Sequence, residues 1–253
     1  MKMHALSCGC LRMRRRIYVP DAGPEESIDL PVASYLLRHR QANVLFDTGC
    51  HPLALRDPEA RWGSMAKLFP PVSKPEDNLL ESLGAVDVTP EDIDLVICSH
   101  LHPDHCGCNA FFTRATILCH ARELEAAKST DAARRGYLAN DWDHPQTFDL
   151  VEGMRDLFSD GRIVVVPLPG HTPGTMGALV ALDRSGSFLL ASDAVPIRAT
   201  LAQHFTPRNT WNVDVLHKTL DEIRHIQAGG TTVICGHDEA EWRSLRKGAD
   251  AYD

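Results

Sequence analysis

His100-Leu101-His102-Pro103-Asp104-His105 puts three imidazoles and one carboxylate into six consecutive positions. The segment before it, Ile93-Asp94-Leu95-Val96-Ile97-Cys98-Ser99, is a short apolar run bounded by polar residues and reads as a buried strand. The histidines therefore stand where a strand gives way to a loop. Residues two apart in extended backbone face the same side, so His100 and His102 can grip one ion. Pro103 fixes φ and suits the first turn of a short helix, which swings Asp104 and His105 toward a second ion. Neutral imidazole with carboxylate is a donor set for borderline divalent metals, zinc first. A lone His is more often a core or surface residue than a ligand, but packing does not explain this density at a strand end.

Four donors in one hexapeptide do not complete two sites, because a catalytic zinc keeps about three protein ligands besides water. The missing donors are expected at other strand ends. His171 follows Val164-Val165-Val166-Pro167-Leu168-Pro169-Gly170 and leads into Thr172-Pro173-Gly174. Asp193 ends Phe188-Leu189-Leu190-Ala191-Ser192, and His237 ends Thr231-Thr232-Val233-Ile234-Cys235-Gly236. Each has the form of an apolar strand, a small residue and a ligand, on loops held by a rigid scaffold. Val96-Ile97-Cys98-Ser99-His100 also echoes Val233-Ile234-Cys235-Gly236-His237. The echo agrees with two similar halves that send strand ends to one shared site.

These segments resemble the metallo-β-lactamase superfamily and, within it, the quorum-quenching N-acyl homoserine lactonases. Leu30-Pro31-Val32, Tyr35-Leu36-Leu37, Asp47-Thr48-Gly49, Ser99 through Gly107, Pro169 through Gly174, Ser192-Asp193-Ala194 and Gly236-His237-Asp238 carry the resemblance. It implies an α/β fold, an αββα sandwich of two mixed sheets flanked by helices. It implies that His100, His102 and His171 hold one metal and that Asp104, His105 and His237 hold the other. Asp193 would bridge the two, and Asp47 would orient a ligating His. The implied cofactors are two divalent ions, zinc first. The implied activity is opening of lactone rings, N-acyl homoserine lactones first, by a hydroxide bridging the metals. Asp104 and Asp193 would be the catalytic residues, with Asp193 carrying a proton to the leaving alkoxide. One departure stands out: the lactonases carry a Tyr three residues after the bridging Asp, and this chain has Pro196. Its tyrosines, Tyr18, Tyr35, Tyr137 and Tyr252, are elsewhere.

Other readings stay open. One is a hydrolase of the same fold acting on aryl esters, sulfates or phosphodiesters; another is a metal-binding sensor without turnover. The complete donor set argues against the sensor. Glyoxalase II shares the histidine motif, but the sixteen residues after His237 are expected to be too few for its glutathione-binding helices.

A single domain over residues 1–253 is expected, because the donors run from residue 100 to 237 and no linker or repeat divides the chain. The net charge of −8 disfavours a nucleic-acid partner. The basic cluster of Arg12, Arg14, Arg15 and Arg16 reads as solvated strand or loop. Eight cysteines show CxC spacing at Cys8/Cys10 and Cys106/Cys108, not the CxxC of zinc ribbons, while Cys98, Cys119 and Cys235 lie in apolar strands. A reducing compartment follows. Met1 to Leu11 makes a poor signal peptide, and no stretch reaches membrane-helix length, so a cytoplasmic protein is expected. The expected partner is a small-molecule lactone or ester, with no nucleic acid and no membrane; a homodimer stays open.

Strands are predicted at 32–37 and 43–47 and helices at 121–128 and 211–227, the latter closed by Gly229 and Gly230. Residues 51–76, with Trp62, Met65 and Phe69, read as a long loop over the site or a partner surface. Thr89-Pro90-Glu91-Asp92 reads as a helix start. His4, His39, His51, His120, His144, His204, His217 and His225 have no ligand-like grouping.

Overall fold

The computed structural model describes residues 1–203 and 205–253. Two long strands open the chain, β1 (Lys2–Arg14) and β2 (Ser27–Arg38), paired antiparallel from Lys2 opposite Arg38 to Arg14 opposite Ser27. β3 (Asn43–Phe46) pairs antiparallel with β2. The short helices α1 (Pro52–Arg56), α2 (Pro58–Trp62) and α3 (Leu79–Gly84) follow. Next come β4 (Leu95–Ile97), α4 (Pro103–Cys106), β5 (Thr116–His120), α5 (Ala121–Ala127), α6 (Ala139–Trp142) and β6 (Phe148–Val151). β3 to β6 run parallel and complete a six-stranded sheet in the order β1-β2-β3-β4-β5-β6.

The second sheet comprises β7 (Arg155–Asp156), β8 (Ile163–Pro167), β9 (Met176–Leu182), β10 (Gly186–Leu190) and β11 (Thr232–Ile234), in the order β11-β10-β9-β8-β7. Its neighbours are antiparallel except β10 and β11. α7 (Arg198–Gln203) and α8 (Val213–Ala228) lie between β10 and β11, and α9 (Glu239–Ser244) comes last.

Period-two alternation builds the layers. Leu37, Val44, Phe46, Ile97 and Leu118 of the first sheet meet Val165, Ala178, Leu190 and Ile234 of the second in one core. The residues between them point outward. Leu36, Leu45, Val96 and Ile117 pack under α1 to α6 with Leu55, Trp62, Leu83 and Leu124. Val166, Leu189 and Val233 pack under α7 and α8 with Leu201, Leu216, Leu220 and Ile223. The result is the αββα sandwich with two mixed sheets. α8 matches its sequence pattern, and the Asn212 side chain caps it by accepting from Val215 N at 3.1 Å.

Two expectations need correction. Residues 51–76 are not one loop: α1, α2 and a 3₁₀ turn at Gly63–Lys67 occupy much of the segment. Pro52 and Pro58 sit in the first turns, where no amide partner is lost, and His51 and Asp57 cap them. Trp62 is buried in the core, and Arg61 Nε donates to Asp141 Oδ1 of α6 at 2.8 Å. Thr89-Pro90-Glu91-Asp92 does form a capping box, but it closes a single 3₁₀ turn at Pro90–Asp92 before β4 begins. The arginine cluster ends β1 with exposed ion pairs, Arg12 to Asp29 and Arg15 to Glu26.

Gly49 locks the turn after β3. Its φ is +65°, and an added Cβ would lie 2.2 Å from Cys8 Cβ. Gly49→Ala is expected to destabilise the fold by about 2–4 kcal/mol, from left-handed strain plus overpacking. Gly230, at φ +95° with no atom within 4 Å of an added Cβ, isolates the conformational part, and Gly230→Ala should cost only about 1–2 kcal/mol. Urea denaturation of both variants checks this; equal costs would show that Cys8 yields freely.

Candidate metal centre

Strand ends of both sheets converge on one space. From the first sheet, the turn after β3 carries Asp47, and the loop after β4 carries His100 and His102. Pro103 opens α4 at its first position and turns Asp104 and His105 toward the same space. From the second sheet, the β8–β9 loop brings His171, the turn after β10 brings Asp193, and the turn after β11 brings His237. All seven donors expected from the sequence meet there.

His100 Nε2 and His171 Nε2 each lie 3.1 Å from His102 Nδ1. His105 Nε2 lies 3.3 Å from His237 Nε2, and Asp104 Oδ2 is 3.6 and 3.7 Å from these two nitrogens. Asp193 stands between the clusters. Its Oδ2 is 3.5 Å from His171 Nε2, while its Oδ1 is 3.4 Å from His105 Nε2 and 2.9 Å from His237 Nε2. Three overlapping groups result, each with its donor atoms within 4.8 Å of one another: His100-His102-His171, His100-His105-Asp193 and Asp104-His105-His237.

The donor set fits divalent metal. Tetrahedral zinc with ligands at about 2.0–2.1 Å spaces its donors about 3.3–3.4 Å apart, close to the separations here. Asp193 Oδ1 is buried and has no hydrogen-bond partner among the described residues; its 2.9 Å approach to His237 lacks hydrogen-bond geometry. An orphan carboxylate oxygen among inward-facing imidazoles is what a cation would satisfy.

Four of the rings use their second nitrogen as an anchor. His105 Nδ1 donates to Asp47 Oδ2 at 2.9 Å and His237 Nδ1 to Pro31 O at 2.9 Å. His102 Nε2 donates to Arg135 O at 2.9 Å, and His100 Nδ1 lies 3.0 Å from Ser99 Oγ. Asp47 also accepts from Ser99 N at 2.6 Å and Ser99 Oγ at 2.8 Å. Asp47 and Ser192, at φ 61° and 47°, hold left-handed backbone just past β3 and β10, and such strain is typical of functional turns.

Charges divide the cluster. Burial, then the neighbouring imidazoles of His105, His102 and His171, pushes His100 well below the ordinary histidine range. Burial likewise pushes His171 down to about 3. Burial also opposes charge on His105 and His237, but nearby carboxylates outweigh it and raise both. Burial pushes Asp193 up, yet His237, His105 and His171 outweigh it and hold the carboxylate well below its usual range.

Several contacts at the centre have no signature in the sequence. Ser192 Oγ donates to Ser99 Oγ at 2.8 Å, linking the two halves behind the donors. Pro196, where lactonases carry Tyr, has its carbonyl accepting from His237 N at 2.7 Å. Tyr18 is buried against Leu30 and Ile197, and its hydroxyl donates to Met13 Sδ at 3.3 Å. Burial, then the charges of Asp193 and Asp104, drives that phenol far up. Tyr137 packs its ring 5.1 Å from the His102 ring, whereas Tyr35 and Tyr252 belong to the core between the sheets.

The other histidines do ordinary work. His51 and His120 cap α1 and α5, His4 bonds Gly248 O, His39 bonds Asp160, and His217 bonds Thr206. His204 lies outside the described residues.

Residues 28–237 match the metallo-beta-lactamase superfamily. The N-acyl homoserine lactonase AttM of Azorhizobium caulinodans is 30% identical over 100% of this chain and 99% of its own length. The N-acyl homoserine lactonase AiiB of Agrobacterium fabrum is 33% identical over 89% of this chain and 86% of its own. A solved N-acyl homoserine lactone hydrolase, with the product N-hexanoyl-L-homoserine bound at its catalytic metal center, superposes with a TM-score of 0.89. The match covers 99% of this chain and 98% of that one, at 23% identity. AidC, a dizinc quorum-quenching lactonase, matches with a TM-score of 0.70 over 94% and 87% at 15% identity. At those identities the solved structures speak for the fold, while the sequence matches speak for descent. The chain belongs to the metallo-beta-lactamase superfamily.

Proposed function

We propose that this chain is a metal-dependent hydrolase that opens lactone rings, N-acyl homoserine lactones first, with residues 1–253 acting as one unit. The observation that carries the proposal is Asp193, one oxygen facing each of two donor groups, at a centre built from both sheets. Its support is the end-to-end similarity to relatives named as lactonases.

His100, His102 and His171 would hold one divalent ion, and Asp104, His105 and His237 the other, zinc first by donor chemistry. Two such ions supply Lewis acidity toward an ester carbonyl and bring the pKa of water toward neutrality. The chain's own part is to orient and to move a proton. Asp193, which faces both donor groups, can carry the proton of the attacking water to the ring oxygen as the C–O bond breaks. Asp104 balances charge at its own group and faces both His105 and His237.

Eight free thiols fit a reducing, cytoplasmic setting. The acidic balance speaks for a small-molecule substrate over nucleic acid. No helix among the described residues is long and apolar enough to cross a membrane.

Protein purified without chelator should carry two equivalents of divalent metal by elemental analysis, zinc predominating. His171→Ala and Asp104→Asn should each lower that content. A well-folded wild type without metal affinity would end the two-metal reading.

Asp193→Asn keeps the shape but removes charge and proton capacity. A fall in kcat of at least about 10²-fold is expected, the scale of losing a general acid or base. Unchanged kcat at full metal occupancy would remove Asp193 from the chemistry.

The substrate is tested by mass spectrometry over short- and long-chain acyl homoserine lactones. The expected product gains one water and keeps its amide, with no free fatty acid. Turnover of a phosphodiester or aryl sulfate with no lactone opened would move the chain to another branch of the superfamily.

A further inference from the structure

Glu123 is a fully buried carboxylate at the third position of α5. A buried carboxylate is costly unless paired or fully hydrogen-bonded. Among the described residues no Lys or Arg forms an ion pair with it. It is satisfied instead by three donors. Oε1 accepts from Leu101 N at 3.0 Å, and Oε2 accepts from Thr172 Oγ1 at 2.6 Å and Gly174 N at 3.1 Å.

All three donors belong to the two loops that carry one donor group. Leu101 separates His100 from His102, while Thr172 and Gly174 follow His171. The contact is close: an added Cβ on Gly174 would lie 2.4 Å from Glu123 N. Thr172 is fixed further by Thr175, whose Oγ1 accepts from Thr172 N at 3.0 Å. Asp47 has the matching place on the other side, but it binds the His105 ring itself.

We propose that Glu123 is a positioning residue for the His100-His102-His171 group. It ties the His100–His102 loop to the His171 loop through their backbone and Thr172, and so sets the metal affinity of that position without touching an imidazole. The proposal rests on the two-metal reading above.

The test measures Zn²⁺ affinity of the full chain, stripped and refilled, against a chromophoric chelator. Two backgrounds separate the positions. His237→Ala leaves the three-histidine group intact, and His171→Ala leaves the Asp104-His105-His237 group intact. Glu123→Gln is expected to weaken Zn²⁺ binding by about 10–100-fold in the His237→Ala background, the scale of losing an outer-sphere anchor. In the His171→Ala background it should change affinity less than about threefold, well below that scale. Thr172→Val, which removes one donor and keeps the shape, should act in the same direction and more weakly, and it serves if the Glu123 variants fold poorly. Equal weakening in both backgrounds, or none in either, would overturn the proposal and leave Glu123 a general packing residue. A wild type that binds no Zn²⁺ would instead remove the two-metal reading, and the proposal with it.

Discussion

A buried imidazole aims a lone pair at a shared point most firmly when its other nitrogen is held elsewhere, and four of the five rings here are held that way. That arrangement organises the centre. Asp47, Ser99, Arg135 O and Pro31 O each take one ring nitrogen, and the opposite nitrogens of those rings face inward. The anchors come from β2, from the turns after β3 and β4, and from the segment before α6. Moving any of these elements would rotate a ring away from the centre. A metal-bound His commonly hands its second N–H to a carboxylate or carbonyl, which fixes tautomer and orientation together.

The donors were legible because each follows an apolar strand that stops abruptly, a pattern the chain repeats at His100, His171, Asp193 and His237. Their anchors were not, because a carbonyl such as Pro31 O has no sequence signature, and Glu123 looks like any other residue of an exposed helix face. The first strand was hidden by its own bulge. Before Gly9, Met3 and Ala5 face the opposite sheet while Leu6 and Cys8 face the helices. The register shifts between Ser7 and Cys10, after which odd-numbered Leu11 joins the helical side. A reversal of parity in mid-strand erases the alternation by which a strand is read. The 51–76 segment misled for another reason: proline breaks a helix interior but starts a helix well, and sequence alone does not separate the two uses.

The five-residue echo has a structural counterpart. β1-β2-β3-β4 and β8-β9-β10-β11 share one sequence of pairings, antiparallel, antiparallel, then parallel. Phe46 lies opposite Ile97 as Leu190 lies opposite Ile234. Ile97 and Ile234 face the common core, Val96 and Val233 face the helices, and His100 and His237 stand three residues on. The halves then diverge: the first follows its strand with a cluster of candidate donors, the second with one. Each half alone lacks a full donor set, so both sheets must be packed before the centre exists.

Charge completes the argument. Asp47, Asp104, Glu123 and Asp193 surround the centre, and among the described residues none pairs with Lys or Arg. With the histidines neutral, that is a formal charge of −4 in or beside a mostly buried space. Hydrogen bonds offset the cost of burial at Asp47 and Glu123, whereas Asp193 Oδ1 has no such partner and calls for positive charge. His105 and His237 supply part of it by taking up protons from solution, at the expense of their lone pairs. Two divalent cations would offset the carboxylates' charge and leave every imidazole neutral. On the two-metal reading, the four carboxylates and five imidazoles act as one unit, in which Asp47 and Glu123 contribute charge and position without being ligands.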